Sequence, residues 1–189
     1  DDLRAVDGVT LHVNARERVA IVGPNGAGKT TTLLMALGAI EADEGTVHIA
    51  GHPLPAERHL AMGSVGFAAG YLPLPDRLRV TEALRFFADL SDVDDPADAV
   101  DTVIDELDIN HLRSKLCMHL SSGQRTLVGI AKATLHRPRL LVLDEPTASL
   151  DPDIAFRVRD RLAQINEHHH TALLLTSHDM REVETLTDR

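Results

Sequence analysis

A glycine-rich run with one lysine is the part of this sequence best suited to do chemistry. The run comprises Gly23, Pro24, Asn25, Gly26, Ala27, Gly28, Lys29, Thr30 and Thr31. An apolar run, residues 19–22, precedes it and a helix-forming run, residues 31–37, follows it. Glycines let the backbone turn tightly and bring N–H groups against phosphate oxygens, which the positive end of the next helix also faces. Lys29 can then reach β- and γ-phosphates, and the Thr30 hydroxyl can ligate Mg²⁺.

This order of strand, glycine-rich loop and helix predicts a nucleoside triphosphate site. The alternative is an ordinary glycine-rich turn between a strand and a helix. All eight positions from Gly23 to Thr30 match the phosphate-loop pattern in the required context, which favours the nucleotide site.

Two carboxylates, Asp144 and Glu145, directly follow the apolar residues 140–143. A buried strand that ends in acid puts negative charge at the carboxyl edge of a sheet, where ligands of α/β proteins bind. Asp144 is suited there to hold Mg²⁺ directly or through water, and Glu145 to polarise an attacking water. Alone, the pair could simply cap the next turn. Together with a phosphate loop it predicts a hydrolytic site.

Two further segments could contact phosphate. The first comprises Ser121, Ser122, Gly123 and Gln124, and it lies directly before a predicted helix. The Ser121 hydroxyl and the Gly123 N–H, supported by the helix dipole, could bind an anion, although such residues also serve as a plain N-cap. The second is His178, which follows the apolar run 172–175 and could donate to a γ-phosphate from a strand end. A structural histidine is the alternative.

Apolar strands and amphipathic helices alternate along the chain. The pattern predicts strands at 9–13, 18–22, 46–49, 64–68, 140–143 and 172–175, and helices at 31–37, 81–90, 96–107, 124–136 and 152–167. Asp151 is the expected N-cap of the last helix, with Pro152 at its first position. This alternation predicts a parallel, largely buried sheet covered on both faces, and therefore an α/β fold.

Composition narrows the function classes. The chain has 189 residues, enough for one domain, and a formal net charge of −10. An acidic chain argues against a nucleic-acid partner, because phosphate backbones require a basic surface. No segment contains the roughly 18 consecutive apolar residues of a membrane-spanning helix.

In order and spacing these motifs resemble those of the ATP-binding cassette (ABC) ATPases over nearly the whole chain. Residues 23–30 resemble the Walker A loop, 120–124 the signature, 140–145 the Walker B strand, 148–151 the D-loop, and His178 the switch histidine. The resemblance implies a P-loop NTPase with a RecA-like parallel sheet core (about 1–71 and 123–189), an N-terminal antiparallel β part and an inserted α-helical subdomain (about 72–122). It also implies ATP and Mg²⁺ as cofactors, with Asp151 near the nucleotide.

The resemblance further implies a head-to-tail dimer, in which each ATP lies between one Walker A loop and the signature of a second ATP-binding cassette. Residues 77–88 and 120–126 are similar to exporter cassettes for drugs, sodium or antibiotics. We therefore expect an ATPase that powers a membrane exporter. It would lie on the cytoplasmic side of the cell membrane, held there by a transmembrane permease subunit or domain.

The sequence departs from the family pattern at several positions. Ser122 stands where a glycine is usual. Gly70 or Leu74, depending on the alignment, occupies the position of a glutamine that contacts Mg²⁺ and reports to the transmembrane partner in the family. We therefore expect weaker metal binding. The aromatic residue that stacks on adenine would precede residue 1, and the family continues beyond residue 189, so we expect a chain truncated at both ends.

Two other functions stay open at this point. One is a soluble cassette acting on ribosomes or nucleic acid, although the 92 positions from Lys29 to Ser121 leave no room for a long coiled coil. The other is a regulatory cassette that binds ATP but hydrolyses it poorly. The absent glutamine favours the regulatory cassette, whereas Lys29, Asp144, Glu145 and His178 oppose it.

Overall fold

Strands and helices alternate in the computed structural model, which describes residues 4–148 and 150–189. The strands are β1 (Arg18–Val22), β2 (Val47–Ile49), β3 (His52–Leu54), β4 (Val65–Ala69), β5 (Leu140–Asp144) and β6 (Ala172–Ser177). The helices are α1 (Lys29–Ala36), α2 (Arg58–Met62), α3 (Val80–Leu90), α4 (Pro96–Glu106), α5 (Ser122–Thr134), α6 (Pro152–His169) and α7 (Met180–Leu186). Short 3₁₀ helices at Asn110–Leu112 and Cys117–His119 precede α5.

The main sheet has the strand order β1-β6-β5-β4, and every neighbouring pair is parallel. Side chains alternate between its two faces, as in any strand. Leu141 and Leu143 pack in one buried cluster, whereas Val142 between them packs in the other. Both faces of β5 are therefore apolar, which explains why this strand is a continuous apolar run and confirms the predicted parallel, buried sheet.

Helices cover both faces of the sheet. On one face, α1 and the β2–β3 hairpin contribute the buried residues Leu33 and Ile49. On the other, α3, α4, α5 and α6 contribute to one continuous cluster, for example through Leu84, Ile104 and Leu162. Within residues 4–148 and 150–189, no helix combines the length and the apolar character needed to cross a bilayer.

The structure corrects the predicted strand at 9–13. Burial does alternate along this segment, because Leu11 and Val13 lie half-buried against the apolar cluster that includes α1. In the described part of the chain this segment nevertheless belongs to no sheet. Alternating burial needs only one apolar neighbour, whereas a strand also needs a hydrogen-bonding partner.

The antiparallel part of the fold lies later in the chain, in the β2–β3 hairpin. Gly51 completes the turn of this hairpin, and His52 and Pro53 begin β3. Ala50 and Gly51 have φ values of 52° and 91°, as expected for a two-residue hairpin turn. The short helices α2 and α7 were not predicted, whereas Asp151 and Pro152 do begin α6 as expected.

Candidate functional site

The carboxyl ends of the parallel strands meet at one edge of the sheet. Strand pairing aligns Val22 of β1 with Ser177 of β6, and Asp144 of β5 with both Thr176 of β6 and Ala69 of β4. Because all four strands run in the same direction, the loops that follow them leave from the same edge. Most of the predicted site residues follow one of these strand ends, so the topology brings them together.

The loop between β1 and α1 has a backbone that requires glycine. Gly26 and Gly28 have φ values of 84° and 85°, in the left-handed region that glycine adopts without strain. A Cβ on Gly28 would also lie 2.2 Å from the carbonyl oxygen of Ala5, which crosses the loop at this point. Gly28 is the N-cap of α1. The first N–H groups of the helix have no intrahelical acceptor, so they are free to bind an anion.

Lys29 lies under this loop, with only 6% of its surface exposed. Its Nζ donates to the carbonyl oxygens of Gly23 and Pro24 at 2.8 and 3.1 Å, and it lies 3.1 Å from Glu145 Oε1. The backbone contacts fix the end of the side chain against the loop. One cation is thereby held between the phosphate-loop backbone and the carboxylate that follows β5.

Asp144 is buried and held from two sides. Its Oδ2 accepts from the Thr30 hydroxyl at 2.9 Å, and its Oδ1 accepts from the Thr176 hydroxyl at 2.6 Å. Thr176 also accepts from the backbone N–H of Glu145 at 2.9 Å. One buried hydroxyl on β6 therefore orients two consecutive acidic residues, the last residue of β5 and the one that follows it. Hydrogen bonds to both oxygens fix the orientation of this carboxylate.

Glu145 connects the lysine to the histidine. Its φ of 48° lies in the left-handed region, a conformation that non-glycine residues adopt chiefly where the surroundings enforce it. Its Oε1 faces Lys29, and its Oε2 lies 3.1 Å from Nδ1 of His178, which follows β6. Half of the His178 side chain is exposed, so the imidazole can also contact a ligand at the open side.

The oxygen atoms at this edge fit Mg²⁺. Magnesium in nucleotide sites is usually held by one or two protein oxygens together with substrate phosphates and water. The Thr30 hydroxyl and the Asp144 carboxylate are 2.9 Å apart at the mouth of the phosphate loop, and both are hard oxygen ligands. Among the described residues there is no cluster of three or more His, Cys, Asp or Glu side chains suited to a metal. The Thr30 hydroxyl and the Asp144 carboxylate are the side-chain oxygens at this edge that suit such a site.

The residues that resemble the signature lie elsewhere, at the start of α5. Ser121 is its N-cap and forms a capping box with Gln124, whose Oε1 also accepts from Lys115 Nζ at 2.8 Å. Ser122 is exposed, whereas Gly123 is buried so closely that an added Cβ would lie 2.3 Å from Ile154 Cγ2.

In residues 4–148 and 150–189, no hydrogen bond or ion pair joins residues 121–124 to the phosphate loop. Gln124 was predicted as a nucleotide contact. Its side-chain oxygen accepts hydrogen bonds from the Ser121 N–H and from Lys115 Nζ, so it also caps the start of α5. Asp151 is exposed at the start of α6 and caps it without a side-chain hydrogen bond. Ser149, part of the segment that resembles the D-loop, lies outside the described residues.

Two residues near Asp144 were missed as site residues. Thr176 is fully buried, and its role follows only from the pairing of β5 with β6. Tyr71 stands two positions after the end of β4, and its pKa is raised first by burial and then by the Asp144 carboxylate. A hydroxyl next to a predicted strand end was the only sequence signal for either of them.

Comparison with known proteins identifies the family. The family model described as ABC transporter matches residues 6–148. The Nod factor export ATP-binding protein I of Burkholderia pseudomallei (strain 1710b) is 37% identical over 193 residues, covering 100% of this chain and 62% of that protein. The lipopolysaccharide export system ATP-binding protein LptB of Haemophilus influenzae is 33% identical, covering 98% of this chain and 79% of that protein.

Solved structures share the fold. CbiO1 from Clostridium perfringens, described as part of the ABC transporter complex cbiONQ, matches with a TM-score of 0.88 and 26% identity over 97% of this chain and 76% of its own. The dimeric bacterial ABC transporter cassette MJ0796 matches with a TM-score of 0.84 at 22% identity, over 95% of this chain and 82% of its own. These likenesses confirm the predicted α/β P-loop NTPase fold.

The chain is shorter than several of its relatives. It spans 62% of the Nod factor export protein and 61% of YxlF, an uncharacterized ABC transporter ATP-binding protein of Bacillus subtilis that is 32% identical. The family match nevertheless extends over most of the sequence, from the segment before β1 to the residues after Glu145. The chain therefore belongs to the ABC transporter family, and the relatives it matches are the ATP-binding proteins of that family.

Proposed function

We propose that this chain is the ATP-hydrolysing cassette of a membrane exporter. The observation that carries the proposal is the convergence of Lys29, Glu145 and Asp144 on the mouth of one glycine-rich loop. A cation, a candidate base and a candidate metal carboxylate thereby meet where the first N–H groups of α1 are free to bind phosphate.

Each residue has a physical role in phosphoryl transfer. Lys29 and the loop N–H groups offset the negative charge of the β- and γ-phosphates, and His178 adds a donor at the open side. Glu145 orients or deprotonates the attacking water. To do so it must exchange its contact with Lys29 for one with water, since the nucleotide phosphates also attract that lysine. His178 Nδ1, 3.1 Å from the other carboxylate oxygen, keeps Glu145 at the strand end during this exchange.

Thr30 and Asp144 are the residues proposed to hold Mg²⁺. When bound, the ion would neutralise part of the charge on the transferred phosphoryl group. The contribution of the protein is to keep both oxygens in place, and the hydrogen bonds from Thr176 and Thr30 to Asp144 support that role.

The separation of residues 121–124 from the phosphate loop supports a head-to-tail dimer. The exposed Ser122 and the start of α5 offer backbone N–H groups that no nucleotide on the same chain would contact. A second cassette would bring its ATP to this helix end. The ATP then bridges two subunits, and its hydrolysis releases them.

An exporter is the transporter class that the relatives favour. The names of the Nod factor and lipopolysaccharide proteins both describe export. A cassette of such a system would lie at the cytoplasmic face of the membrane, attached to a transmembrane permease. ATP-driven closing and opening of the dimer would then move the permease.

The test is release of phosphate from ATP by the chain in the presence of Mg²⁺. We expect turnover in the wild type, and a loss of about 10²- to 10³-fold in Lys29→Ala, because the charge on the phosphates is no longer offset. Lys132→Ala is the matched control, since that lysine lies on α5 with its ammonium 4.3 Å from the Phe87 ring centre. A folded wild-type chain that binds ATP with Mg²⁺ but does not hydrolyse it would support a regulatory cassette instead.

A further inference from the structure

We propose that Lys115 is a positioning residue for the start of α5, the helix end to which the proposed function assigns the ATP of a second cassette. Its ammonium holds the side-chain oxygen of Gln124 in the helix cap and places an additional positive charge there. The inference rests on the proposed head-to-tail dimer. It adds a residue that lies outside the motifs, since the segment that resembles the signature begins only at residue 120.

One side-chain oxygen joins Lys115 to the helix cap. Gln124 Oε1 accepts from Lys115 Nζ at 2.8 Å and from the backbone N–H of Ser121 at 3.2 Å. The Ser121 hydroxyl in turn accepts from the Gln124 N–H at 3.3 Å. An amide oxygen has two lone pairs, so these two donors use both of them. The orientation of the Gln124 side chain therefore depends on the lysine as well as on the capping box.

The backbone of Lys115 is fixed from two sides. Its N–H donates to the Leu112 carbonyl at 2.9 Å, and its carbonyl accepts at 3.0 Å from the N–H of Val80, the first residue of α3. Lys115 lies between the two 3₁₀ helices, and its half-buried side chain reaches from this segment to α5. The lysine therefore connects the start of α5 to the start of α3.

The charge of Lys115 is not offset by an acid. Within residues 4–148 and 150–189 its ammonium forms no ion pair, and the hydrogen bond that it donates goes to the uncharged amide of Gln124. Lys29 differs in this respect, because its ammonium contacts Glu145. An ammonium beside the first turn of a helix adds to the positive end of the helix dipole, and both favour a phosphate. Lys115 therefore strengthens the positive field at the helix end that the proposed dimer uses.

Loss of this lysine should weaken the dimer and leave ATP binding by the single chain unchanged. Lys115→Met keeps the length of the side chain but removes both its charge and its hydrogen bond to Gln124. Each helix end should lose about 3- to 10-fold, between the values for an exposed ion pair and for a hydrogen bond to a charged group. A dimer contains two such ends, so we expect it to weaken about 10- to 100-fold.

The test measures the dissociation constant of the dimer by sedimentation in saturating ATP, with Glu145→Gln as the parent protein because ATP should persist in it. Lys115→Arg keeps the charge and should stay close to the parent. Lys132→Met is the matched control, because it removes the same charge from the last turn of α5. Added KCl should weaken the parent dimer more steeply than the Lys115→Met dimer, since salt screens the charge that this variant lacks. A purely structural role would leave that salt dependence unchanged.

Gln124→Met tests the same contact from its other side. If Lys115 acts through Gln124, the combined variant should weaken the dimer by less than the product of the two single effects. A combined effect equal to that product would show that the lysine does not act through Gln124 and would overturn the positioning role.

The outcomes separate the two proposals. A Lys115→Met dimer within about twofold of the parent, or an equal loss in Lys132→Met, overturns the role of Lys115 and leaves the dimer standing. A parent that stays monomeric with ATP bound overturns the dimer and this role with it. A weaker Lys115→Met dimer with unchanged ATP affinity, and with Lys132→Met unaffected, supports the proposal. If Lys115→Met does not fold, Gln124→Met decides in the same way.

Discussion

Replacing Thr176 by valine tests whether one buried hydroxyl organises both acidic residues. Valine has nearly the same shape as threonine but cannot donate or accept a hydrogen bond. The change removes the 2.6 Å bond to Asp144 Oδ1 and the 2.9 Å bond from the Glu145 N–H, while the surrounding apolar packing is kept.

The expected loss of stability follows from these two bonds. A hydrogen bond to a charged group contributes about 1.5–3 kcal/mol, and an unpaired buried amide costs about 1–3 kcal/mol. The carboxylate keeps its bond from Thr30, and Glu145 is partly exposed to water, so the lower ends of both ranges apply. We expect Thr176→Val to lower the free energy of unfolding by about 2–4 kcal/mol. Thr176→Ser keeps the hydroxyl and should cost only about 1 kcal/mol for the lost methyl group.

Urea unfolding of the wild type, Thr176→Val and Thr176→Ser measures the loss of stability. Their rates of ATP turnover measure the effect on the site. Turnover of Thr176→Val should fall about 10- to 100-fold, as for other partners of metal ligands, while Thr176→Ser stays close to the wild type. The reasoning is refuted if Thr176→Val unfolds within about 0.5 kcal/mol of the wild type, an effect typical of surface changes, and keeps its turnover.

Other predictions concern the helix start, the β4 loop and pH. Gly123→Ala should lower stability by about 1–3 kcal/mol even without ATP, because its Cβ would lie 2.3 Å from Ile154 Cγ2; an unchanged melting temperature would contradict this. Gly70→Gln, with no atom within 4 Å of the added Cβ, should lower the Mg²⁺ concentration for half-maximal turnover, and no effect would refute the assigned loop position. Burial lowers the pKa of His136, so the unfolded chain binds a proton at this histidine more readily than the folded chain does. The free energy of unfolding should therefore fall as pH drops below 6.5, and it should fall less in His136→Gln. Equal pH slopes for the two proteins would contradict this.

The phosphate loop could be predicted because its chemistry is local. Gly26 and Gly28 have left-handed backbone angles, and Lys29 follows them at the start of a helix. The features that define the phosphate loop therefore lie within one short run of sequence. The strands of the main sheet were also predicted closely. A strand buried on both faces is a continuous apolar run, as in β5 and β6, and such a run has clear ends.

The segment at 9–13 shows where such inference fails. Leu11 and Val13 alternate with exposed residues because they pack on one side, yet no neighbouring strand pairs with them in the described chain. Likewise, a hydroxyl next to a predicted strand end does not by itself reveal the role of Thr176. Thr176 reaches Asp144 through the register of β5 and β6, and register depends on the assembled sheet.

The most direct test of the proposed mechanism is the association state of Glu145→Gln in ATP. The substitution keeps the shape of the side chain but removes the charge proposed to activate water, so ATP should persist and bridge two chains through the α5 helix ends. Light scattering should show a dimer with ATP and a monomer with ADP, which lacks the bridging phosphate. Ser122→Trp, at an exposed position, should prevent the dimer without preventing ATP binding. A Glu145→Gln chain that stays monomeric with ATP demonstrably bound at saturation would contradict the account.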